Sequence, residues 1–464
     1  MLNYTPSPAK GVPLYQGLYR CIREDILSGK LKADAKLPSK RSLAQHMKVS
    51  VITVENAYAQ LLAEGYIRAE ERRGYFVCEV AERADAAAPM KAEPAAEASA
   101  AAPCFLDLCS NRPDESRFPF SVWSKILRSE LSGPKRRLLA ATPAKGAPEL
   151  RRAIADYLFA CRGMSVQSGQ IVVGAGAEYL YNLIVQLLGR ERIYAVEDPG
   201  HVKAAKIYEK NAMPLRYVQV DEKGMQVDAL HESGADTAHI SPSHHFPTGV
   251  VMPIGRRQEM LAWAEAGKER YIIEDDYDSE FRFAPRPLPT LQSIDVSGRV
   301  IYTNTFSKSL APSIRIGYMV LPPQLQERFE RELSFYACTV PSFEQFTLAR
   351  FIAEGHFERH IGRMKKHYRT ERDAVTEAIL KSPLADRAEI LEKDAGLHFL
   401  LRVKTDKSDE TLRREALAAG VRLAFLSEYS HVPVAAEMHQ IVVDYSGVER
   451  ERLQEAFSRL GEIL

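Results

Sequence analysis

The sequence predicts an α/β protein with two folded parts: a small helical head ending in a hairpin, and a large body with a mainly parallel β-sheet and a smaller C-terminal α+β lobe. Three observations lead to this prediction. Helical periodicity followed by two short alternating segments fills residues 11–80, whereas residues 81–104 are rich in Ala, Glu and Pro. Residues 105–464 alternate short apolar runs with helical stretches, and they become helix-rich after about residue 330.

Length and composition narrow the class of protein. A chain of 464 residues is too long for one hydrophobic core. Its 45% hydrophobic and 27% charged residues are ordinary for a globular protein. It contains no apolar run of about 18 residues, no signal-peptide pattern at its start and no Cys-x-x-Cys pair among six cysteines. These observations predict a cytoplasmic protein with no membrane partner, reduced thiols and no zinc site.

The head begins with an amphipathic helix, because Leu14, Leu18, Ile22 and Ile26 recur at four-residue steps. A second helix is expected after Pro38, to about residue 47. A third helix opens at Ser50, with Val54, Ala57, Leu61 and Leu62 facing inward. Residues 66–68 and 75–77 alternate as two strands around a charged turn that contains Gly74. Residues 1–80 carry 12 Lys/Arg against 8 Asp/Glu, a weak sign of a phosphate-backbone partner.

The segment 81–104 has no aromatic residue and few large apolar ones. Such a segment buries too little surface to offset the entropy lost on ordering, so it is predicted to be a linker.

The body shows a regular alternation of strands and helices. Buried strands are expected at 171–173, 193–196, 237–240, 271–273, 300–302 and 317–321, with two later strands near 397–403 and 439–445. Because helical stretches separate the first six, the sheet is predicted to be largely parallel.

The head resembles the GntR-type winged helix-turn-helix through the ordered segments LPSKRSLA and SVITVENAYAQLLAEGYI and a glycine-containing wing. The resemblance implies a double-stranded DNA operator, with the third helix in the major groove. The DNA-binding candidates are Ser39, Lys40 and Arg41 at the start of the second helix, Ser50, Thr53, Asn56 and alternatively Glu55 on the third, and Arg72, Arg73 and Gly74 in the wing. The arginines and Lys40 are expected to contact phosphates or the minor groove.

Four elements of the body are ordered as the chemistry of pyridoxal 5'-phosphate (PLP) requires. The strand–turn–helix 172–178 could present the backbone amides of Gly176, Ala177 and Glu178 to a phosphate. Asp275 follows a buried strand, where a carboxylate can pair with a pyridinium nitrogen, and Tyr277 can contact the ring 3-oxygen.

The other two elements follow about thirty residues later in the chain. Lys308 in Thr-Phe-Ser-Lys-Ser is the candidate for the Schiff base with PLP. Arg315, Thr305 and Ser307 are candidates to hold the cofactor phosphate.

Residues 105–464 resemble fold-type I aminotransferases, also through GAPELRRAIADYL at 146–158 and Glu-Asp-Pro-Gly at 197–200. With its head, the chain is similar to the MocR/GabR subfamily of regulators. This resemblance implies PLP as cofactor, a head-to-tail homodimer and two heads on spaced DNA half-sites. It also assigns His201 to the position that stacks on the cofactor ring.

Two departures from the aminotransferase pattern bear on function. Phe246 stands where aminotransferases have an Asn that contacts the ring 3-oxygen, and the late strand 439–445 has no arginine to bind a substrate carboxylate. Arg422 or Lys203 could substitute, or no amino acid binds. The adjacent His244 and His245 lack an acidic partner at helical spacing, so no metal is predicted.

Three functions remain open from the sequence. The favoured one is a PLP-binding transcription regulator that senses PLP itself or the aldimine of PLP with a small amine or amino acid. The alternative is an active aminotransferase with a tethered DNA-binding head. The third is a DNA-binding protein whose body only dimerises, and the retained Asp275, Lys308 and Arg315 argue against it.

Overall fold

The computed structural model describes residues 13–80, 104–110, 114–133, 135–283, 288–394, 396–433 and 439–464. It divides into two compact units, Met1–Ala101 and Ala102–Leu464, and each is described by itself. The predicted linker lies outside the described residues, except for Cys104. Within the described part of the chain, no helix is long and apolar enough to cross a membrane.

Residues 13–80, the described part of the head, form three helices, and the sequence predicted all of them. They are α1 (Leu14–Leu27), α2 (Lys40–Met47) and α3 (Val51–Ala63). Ser39 caps α2 by accepting a hydrogen bond from the amide of Ser42, and Ser50 caps α3 in the same way through the amide of Thr53. Leu18, Ile22 and Ile26 are buried, as the periodicity predicts, but Leu14, the first residue of α1, is exposed.

A small antiparallel sheet completes the head. Its strands are β1 (Lys36–Leu37), β2 (Ile67–Glu70) and β3 (Gly74–Val77), in the order β1-β3-β2. The hairpin of β2 and β3 is the predicted wing, whereas β1 was not predicted, because two residues carry no periodic pattern. Gly74 has a φ of +112° and Arg72 a φ of +60°, so the turn uses left-handed backbone at two places.

The main sheet of the body has eight strands in the order β5-β12-β11-β10-β9-β6-β7-β8. They are β5 (Ile171–Gly174), β6 (Tyr194–Asp198), β7 (Leu215–Asp221), β8 (Gly224–Met225), β9 (Thr237–Ile240), β10 (Tyr271–Asp275), β11 (Val300–Thr305) and β12 (Gly317–Val320). The six predicted strands are all present. Five neighbouring strands, β11 to β7 in that order, are parallel, and β12 is antiparallel to both of its neighbours.

The helices of the body cover this sheet and the C-terminal lobe. They are α4 (Phe120–Ser132), α5 (Lys135–Leu139), α6 (Pro148–Arg162), α7 (Ala177–Leu188), α8 (Val202–Lys210), α9 (Val227–Glu232), α10 (Ile254–Glu265), α11 (Leu291–Ile294), α12 (Pro323–Glu332), α13 (Ser342–Ala353), α14 (His356–Leu380), α15 (Asp409–Ala418) and α16 (Arg450–Ile463). Helix α7 is apolar on most of its surface because it packs directly against the main sheet.

The C-terminal part adds two smaller sheets. One is antiparallel and consists of β13 (Ala388–Leu391), β14 (His398–Val403) and β16 (His439–Asp444). In the other, β4 (Leu106–Asp107) pairs with β15 (Val421–Arg422), so the first strand of the body joins its C-terminal part. His398 lies opposite Asp444 in this register, which brings both residues to one end of their sheet.

Candidate DNA-binding face and cofactor site

The DNA-binding candidates of the head lie at the starts of α2 and α3 and at the wing tip. Ser39, Arg41, Ser50, Asn56, Arg72 and Arg73 are exposed, whereas Lys40, Thr53 and Gly74 are half-buried. The Tyr58 hydroxyl donates to the carbonyl of Pro38 over 2.9 Å, so α3 is fixed against the start of α2. The two helix N-termini are therefore held as one unit, as the helix-turn-helix requires.

Two of the basic candidates already have carboxylate partners. Lys40 Nζ lies 2.7 Å from Glu55 Oε1, and Arg73 Nη1 lies 2.5 Å from Glu70 Oε2. Both pairs are largely exposed, so a DNA phosphate can replace these carboxylates at small cost. Arg41 and Arg72 are the cations of this face that are most directly available to phosphate.

Two apolar residues on this face were not predicted from the sequence. Val51 and Ile52, in the first turn of α3, are 43% and 67% exposed. Such side chains at the start of a recognition helix can contact thymine methyl groups in the major groove. Their position at the start of α3, before the inward-facing Val54, could have indicated a place on this face. Their apolar character instead favours a place in the core, so the sequence alone did not assign them to DNA binding.

In the body, strand register brings the predicted phosphate-binding residues together. Gly174 at the end of β5 lies opposite Gly317, and Gly317 lies opposite Thr305 at the end of β11. The N-terminus of α7 follows β5, and Arg315 lies two residues before the start of β12. The helix N-terminus, Thr305 and Arg315 therefore lie at one edge of the sheet, where a phosphate can accept from all three.

Gly176 is required at this edge by its backbone and by its neighbour. Its φ is +90°, and a Cβ atom there would lie 2.9 Å from Arg315 Nη2. Arg315 Nη2 donates to Glu178 Oε2 over 2.9 Å, and Lys203 Nζ lies 3.0 Å from the other oxygen of Glu178. Phosphate binding by the amide of Glu178 stays a prediction, and its carboxylate brings a negative charge to the place where the phosphate is expected.

Asp275 ends β10 and is buried. Its Oδ2 accepts from the Tyr181 hydroxyl over 2.6 Å and lies 3.6 Å from His239 Nε2, and Tyr208 contacts His239 Nδ1 over 2.7 Å. Burial alone would raise the pKa of Asp275, but the neighbouring ring of His239 and the hydrogen bond from Tyr181 outweigh burial and hold the pKa below its ordinary value. The carboxylate is therefore kept charged, as pairing with a pyridinium requires.

The amine of Lys308 lies in a low-dielectric environment. Burial lowers its pKa below the ordinary value for lysine, and the charges of Asp444 and Asp278 oppose this shift. A lowered pKa makes the neutral, nucleophilic amine more available at neutral pH. Thr305, Ser307 and Lys308 are half-buried at the end of β11 and in the turn that follows it.

The aromatic residues of the site form a group around Phe246. Its ring centroid lies 5.8 Å from that of His201, 5.1 Å from that of His398 and 5.0 Å from that of Tyr429. His201 caps α8 and is exposed, which leaves its ring accessible for the predicted stacking. The side chain of Phe246 is apolar and offers no hydrogen bond at this place.

Tyr277 is joined to a buried cluster that the sequence did not reveal. Its hydroxyl lies 3.2 Å from His244 Nδ1, which also lies 2.9 Å from Asp278 Oδ2. His244, Asp278 and His398 bring ligand-type atoms within 4.8 Å of one another, so the acidic partner absent from the local sequence comes from the loop after β10. His398 Nε2 contacts the carbonyl of Pro247, so this nitrogen is engaged within the protein. The absence of a metal site stays a prediction.

The two substitutes for a carboxylate-binding arginine are each paired. Lys203 is bound to Glu178, and Arg422 Nη1 lies 3.2 Å from Asp107 Oδ2. Both pairs are partly exposed and could exchange partners.

Comparisons with known proteins agree with this two-part description. Residues 104–457 match the aminotransferase class I and II family, and residues 14–77 match the bacterial regulatory proteins of the gntR family. The chain is 37% identical over 455 residues to the uncharacterized helix-turn-helix (HTH)-type transcriptional regulator YdeL of Bacillus subtilis (strain 168), over 97% of this chain and 96% of that protein.

A second relative and a solved structure extend the comparison. The chain is 33% identical over 467 residues to the probable rhizopine catabolism regulatory protein MocR of Rhizobium meliloti, over 97% of this chain and 93% of that protein. The multiple substrate aminotransferase from Thermococcus profundus has a similar structure, with a TM-score of 0.69 and 25% identity, over 78% of this chain and 91% of that one.

Proposed function

This chain belongs to the MocR subfamily of GntR-type transcription regulators, and we propose that its aminotransferase-like body binds PLP at Lys308 and thereby alters operator binding by the head. The chain is a DNA-binding regulator, as its relatives are. What the proposal adds is the cofactor, the ligand that is sensed and the residues that hold them.

The observation that carries the proposal is that three functional groups come from the ends of neighbouring strands at the carboxyl edge of one sheet. Asp275, Lys308 and Arg315 come from separate strand ends, and they supply a buried carboxylate, an amine with a lowered pKa and a guanidinium. A body that only dimerised would need none of these. The aminotransferase fold agrees with PLP dependence.

Each residue has a defined part in holding the cofactor. Asp275 would pair with the ring nitrogen, Tyr277 with the ring 3-oxygen, and the amides of 176–178 with Arg315 would take the phosphate. Bound PLP would supply an aldehyde that condenses with the amine of Lys308 and releases water, and an incoming amine could then replace the amine of Lys308. His201 would lie on the ring. In this scheme Arg315 exchanges its present partner, the carboxylate of Glu178, for the phosphate.

The ligand that is sensed is PLP itself, or PLP joined to a small amine or amino acid. The chain lacks the asparagine at Phe246 and the arginine on β16, and both losses weaken turnover of an amino acid more than binding of PLP. The ligand changes operator binding only through its different affinity for two states of the protein.

A head-to-tail homodimer is part of the proposal. The exposed Phe120, Leu139 and Phe335 on the body support it, since large exposed apolar side chains are typical of a surface that another chain covers. Two heads of one dimer would then bind spaced half-sites on DNA.

Transamination is the second candidate, since the aminotransferase-like fold with Asp275 and Lys308 is retained. It is distinguished by steady formation of a keto acid from an amino acid with PLP present. Repeated turnover at each bound cofactor would establish an enzyme, whereas a single stoichiometric exchange would support a sensor.

The main test is operator binding of the full chain to DNA upstream of its own gene, titrated with PLP. Wild type is compared with Lys308→Ala, and the matched control is Lys381→Ala, whose exposed side chain pairs with Glu377. We expect PLP to change the affinity or footprint for wild type and Lys381→Ala only. If Lys308→Ala responds to PLP as wild type does, the proposal is wrong. If wild type gains visible absorbance with PLP but its DNA binding does not change, PLP is a fixed part of a receptor for a second ligand.

A further inference from the structure

The exposed side of α3 carries an apolar patch at its N-terminal end, formed by Val51 and Ile52. These two side chains are 43% and 67% exposed, although both are large and apolar. Ala59 lies seven residues after Ile52, on the same side of the helix, and it is exposed as well. The exposed side of α3 thus combines three apolar residues with the polar Glu55 and Asn56, whereas such a side is ordinarily polar throughout.

Neither the core of the head nor the stability of α3 requires this patch. The opposite side of the helix already supplies the core, through the buried Val54, Ala57, Tyr58 and Leu61. Branched side chains such as valine and isoleucine also lower the stability of a helix relative to alanine. Two adjacent exposed residues of this kind therefore indicate contact with another molecule.

The two hydroxyl groups beside the patch are engaged in the cap of α3. Ser50 Oγ accepts a hydrogen bond from the amide of Thr53 over 3.1 Å and lies 2.8 Å from Thr53 Oγ1. Breaking such a cap destabilises the helix, so these hydroxyls are expected to keep their present partners when the head meets another molecule. In the first turn of α3, as the structure describes it, the side chains left to make new contacts are those of Val51 and Ile52.

The surroundings of the patch fit DNA better than they fit a protein surface. Exposed cations belong to the same face, since Lys48 precedes α3, Arg41 lies in the first turn of α2 and Arg72 lies at the wing tip. Two helices begin here, and a helix N-terminus attracts phosphate. The head is also the DNA-binding part of a regulator. In the major groove, the apolar group that a base pair exposes is the C5 methyl of thymine.

We propose that Val51 and Ile52 recognise the methyl groups of thymines at two neighbouring base pairs in each half-site of the operator. Consecutive residues of a helix point about 100° apart, so the two side chains contact different base pairs. Each contact buries a methyl group against a branched side chain that is exposed in the protein alone. This proposal concerns base recognition by the head, and it is independent of the proposed binding of PLP by the body.

The first test compares thymine with deoxyuracil, which lacks only the C5 methyl group and pairs in the same way. The full chain, with and without PLP, selects duplexes from a random-sequence pool, and the selected sequences define the half-site. We expect thymines at two neighbouring base pairs, and replacing either by deoxyuracil in one half-site should weaken binding roughly fourfold. Deoxyuracil at other positions should have no effect. Binding that tolerates deoxyuracil at every thymine overturns the proposal.

Variants of the patch identify which side chain contacts which methyl group. Ile52→Ser should weaken binding to the thymine duplex, and the difference between thymine and deoxyuracil at one of the two positions should disappear. Val51→Ser should have the same effect at the neighbouring position. The matched control is Val296→Ala, which removes another highly exposed apolar side chain, on the body, and should keep both differences. Wild-type differences in both Ile52→Ser and Val51→Ser contradict the proposal.

Oligomeric state distinguishes DNA from the other possible occupant of this surface, a second copy of the chain. Sedimentation of wild type and Ile52→Ser is measured without DNA, and circular dichroism compares their folding. Unchanged association together with a lost preference for thymine supports the proposal. Lost association with an unchanged preference for thymine over deoxyuracil assigns the patch to contact between copies and overturns the proposal. Should Ile52→Ser fold poorly, Ile52→Ala is measured in its place, because alanine favours the helix and has a shorter side chain.

Discussion

The DNA-binding face of the head and the cofactor site of the body differ in how their residues come together. The head collects its candidates from one stretch of about forty residues, and most of them are exposed. The body draws Gly176, Asp275, Lys308 and Arg315 from four strand ends, and it surrounds Asp275 with the buried partners Tyr181 and His239. Residues of the head are therefore expected to act one at a time, and residues of the body as a connected network.

The largest effect is expected at the centre of that network. Asp275→Asn keeps the shape but removes a buried charge, so PLP affinity should fall by roughly 100-fold, corresponding to about 3 kcal/mol. The matched control is Asp373→Asn, an exposed carboxylate, which should leave PLP affinity unchanged. Both are measured by fluorescence titration with PLP. Unchanged affinity in Asp275→Asn would remove Asp275 from the site.

A double-mutant cycle tests whether residues act independently in the head and as a network in the body. Tyr181→Phe removes the 2.6 Å hydrogen bond to Asp275, so its effect on PLP affinity should largely disappear when Asp275 is already Asn. In the head, the effects of Arg41→Ala and Asn56→Ala on operator binding should add to within about 0.5 kcal/mol. Additive effects of the two substitutions in the body, or strongly coupled effects in the head, would contradict the proposed difference between the two sites.

Single changes in the head should be smaller and should leave PLP binding intact. Asn56→Ala is expected to weaken binding to the operator by about tenfold and to relax its sequence preference, if Asn56 contacts a base. Arg41→Ala should weaken binding to all sequences alike and reduce the salt dependence by about one ion. Fluorescence anisotropy at several salt concentrations distinguishes these outcomes.

The same difference between the two regions explains how much of the structure could be predicted from the sequence alone. In the head, Ser39 and Ser50 are caps whose signals lie within four residues of the helices they begin, so all three helices were predicted. In the body, β7 was missed because it is half-exposed and mixes polar with apolar residues, unlike the buried strands beside it.

Motifs in the sequence identified the candidate cofactor residues, but not the side chains that contact them. Asp275, Lys308 and Arg315 stand in recognisable segments. Tyr181 and His239 lie inside an ordinary helix and an ordinary strand, and only the register between β9 and β10 brings His239 toward Asp275. Asp444 lies far along the chain in a different sheet, so no local pattern could connect it with Lys308.

Two glycines at opposite ends of α7 offer a matched pair for the phosphate site. Gly176 and Gly189 have similar φ angles of +90° and +97°, but only Gly176 faces Arg315, and no atom lies within 4 Å of a Cβ placed on Gly189. Each Gly→Ala change should cost about 1 kcal/mol of stability. Only Gly176→Ala should also lower PLP affinity, by several-fold. Equal PLP affinities in the two variants would show that the phosphate binds elsewhere.

The smallest effect concerns pH and the charges around Lys308. The neutral amine reacts with PLP, so the rate of binding should rise with pH and level off above the pKa of Lys308, which burial places below that of an ordinary lysine. The negative charge of Asp444 favours the ammonium form. Asp444→Asn should therefore lower the pKa of Lys308 further and move the rate profile to lower pH, by up to about one unit.

Stopped-flow absorbance across pH measures this profile, with Asp373→Asn as a variant that should not move it. A shift of the Asp444→Asn profile to higher pH would mean that Asp444 does not act on Lys308 as a negative charge. A shift in the expected direction would show that the C-terminal part of the body tunes the reactivity of a lysine on the main sheet, a connection with no equivalent in the head.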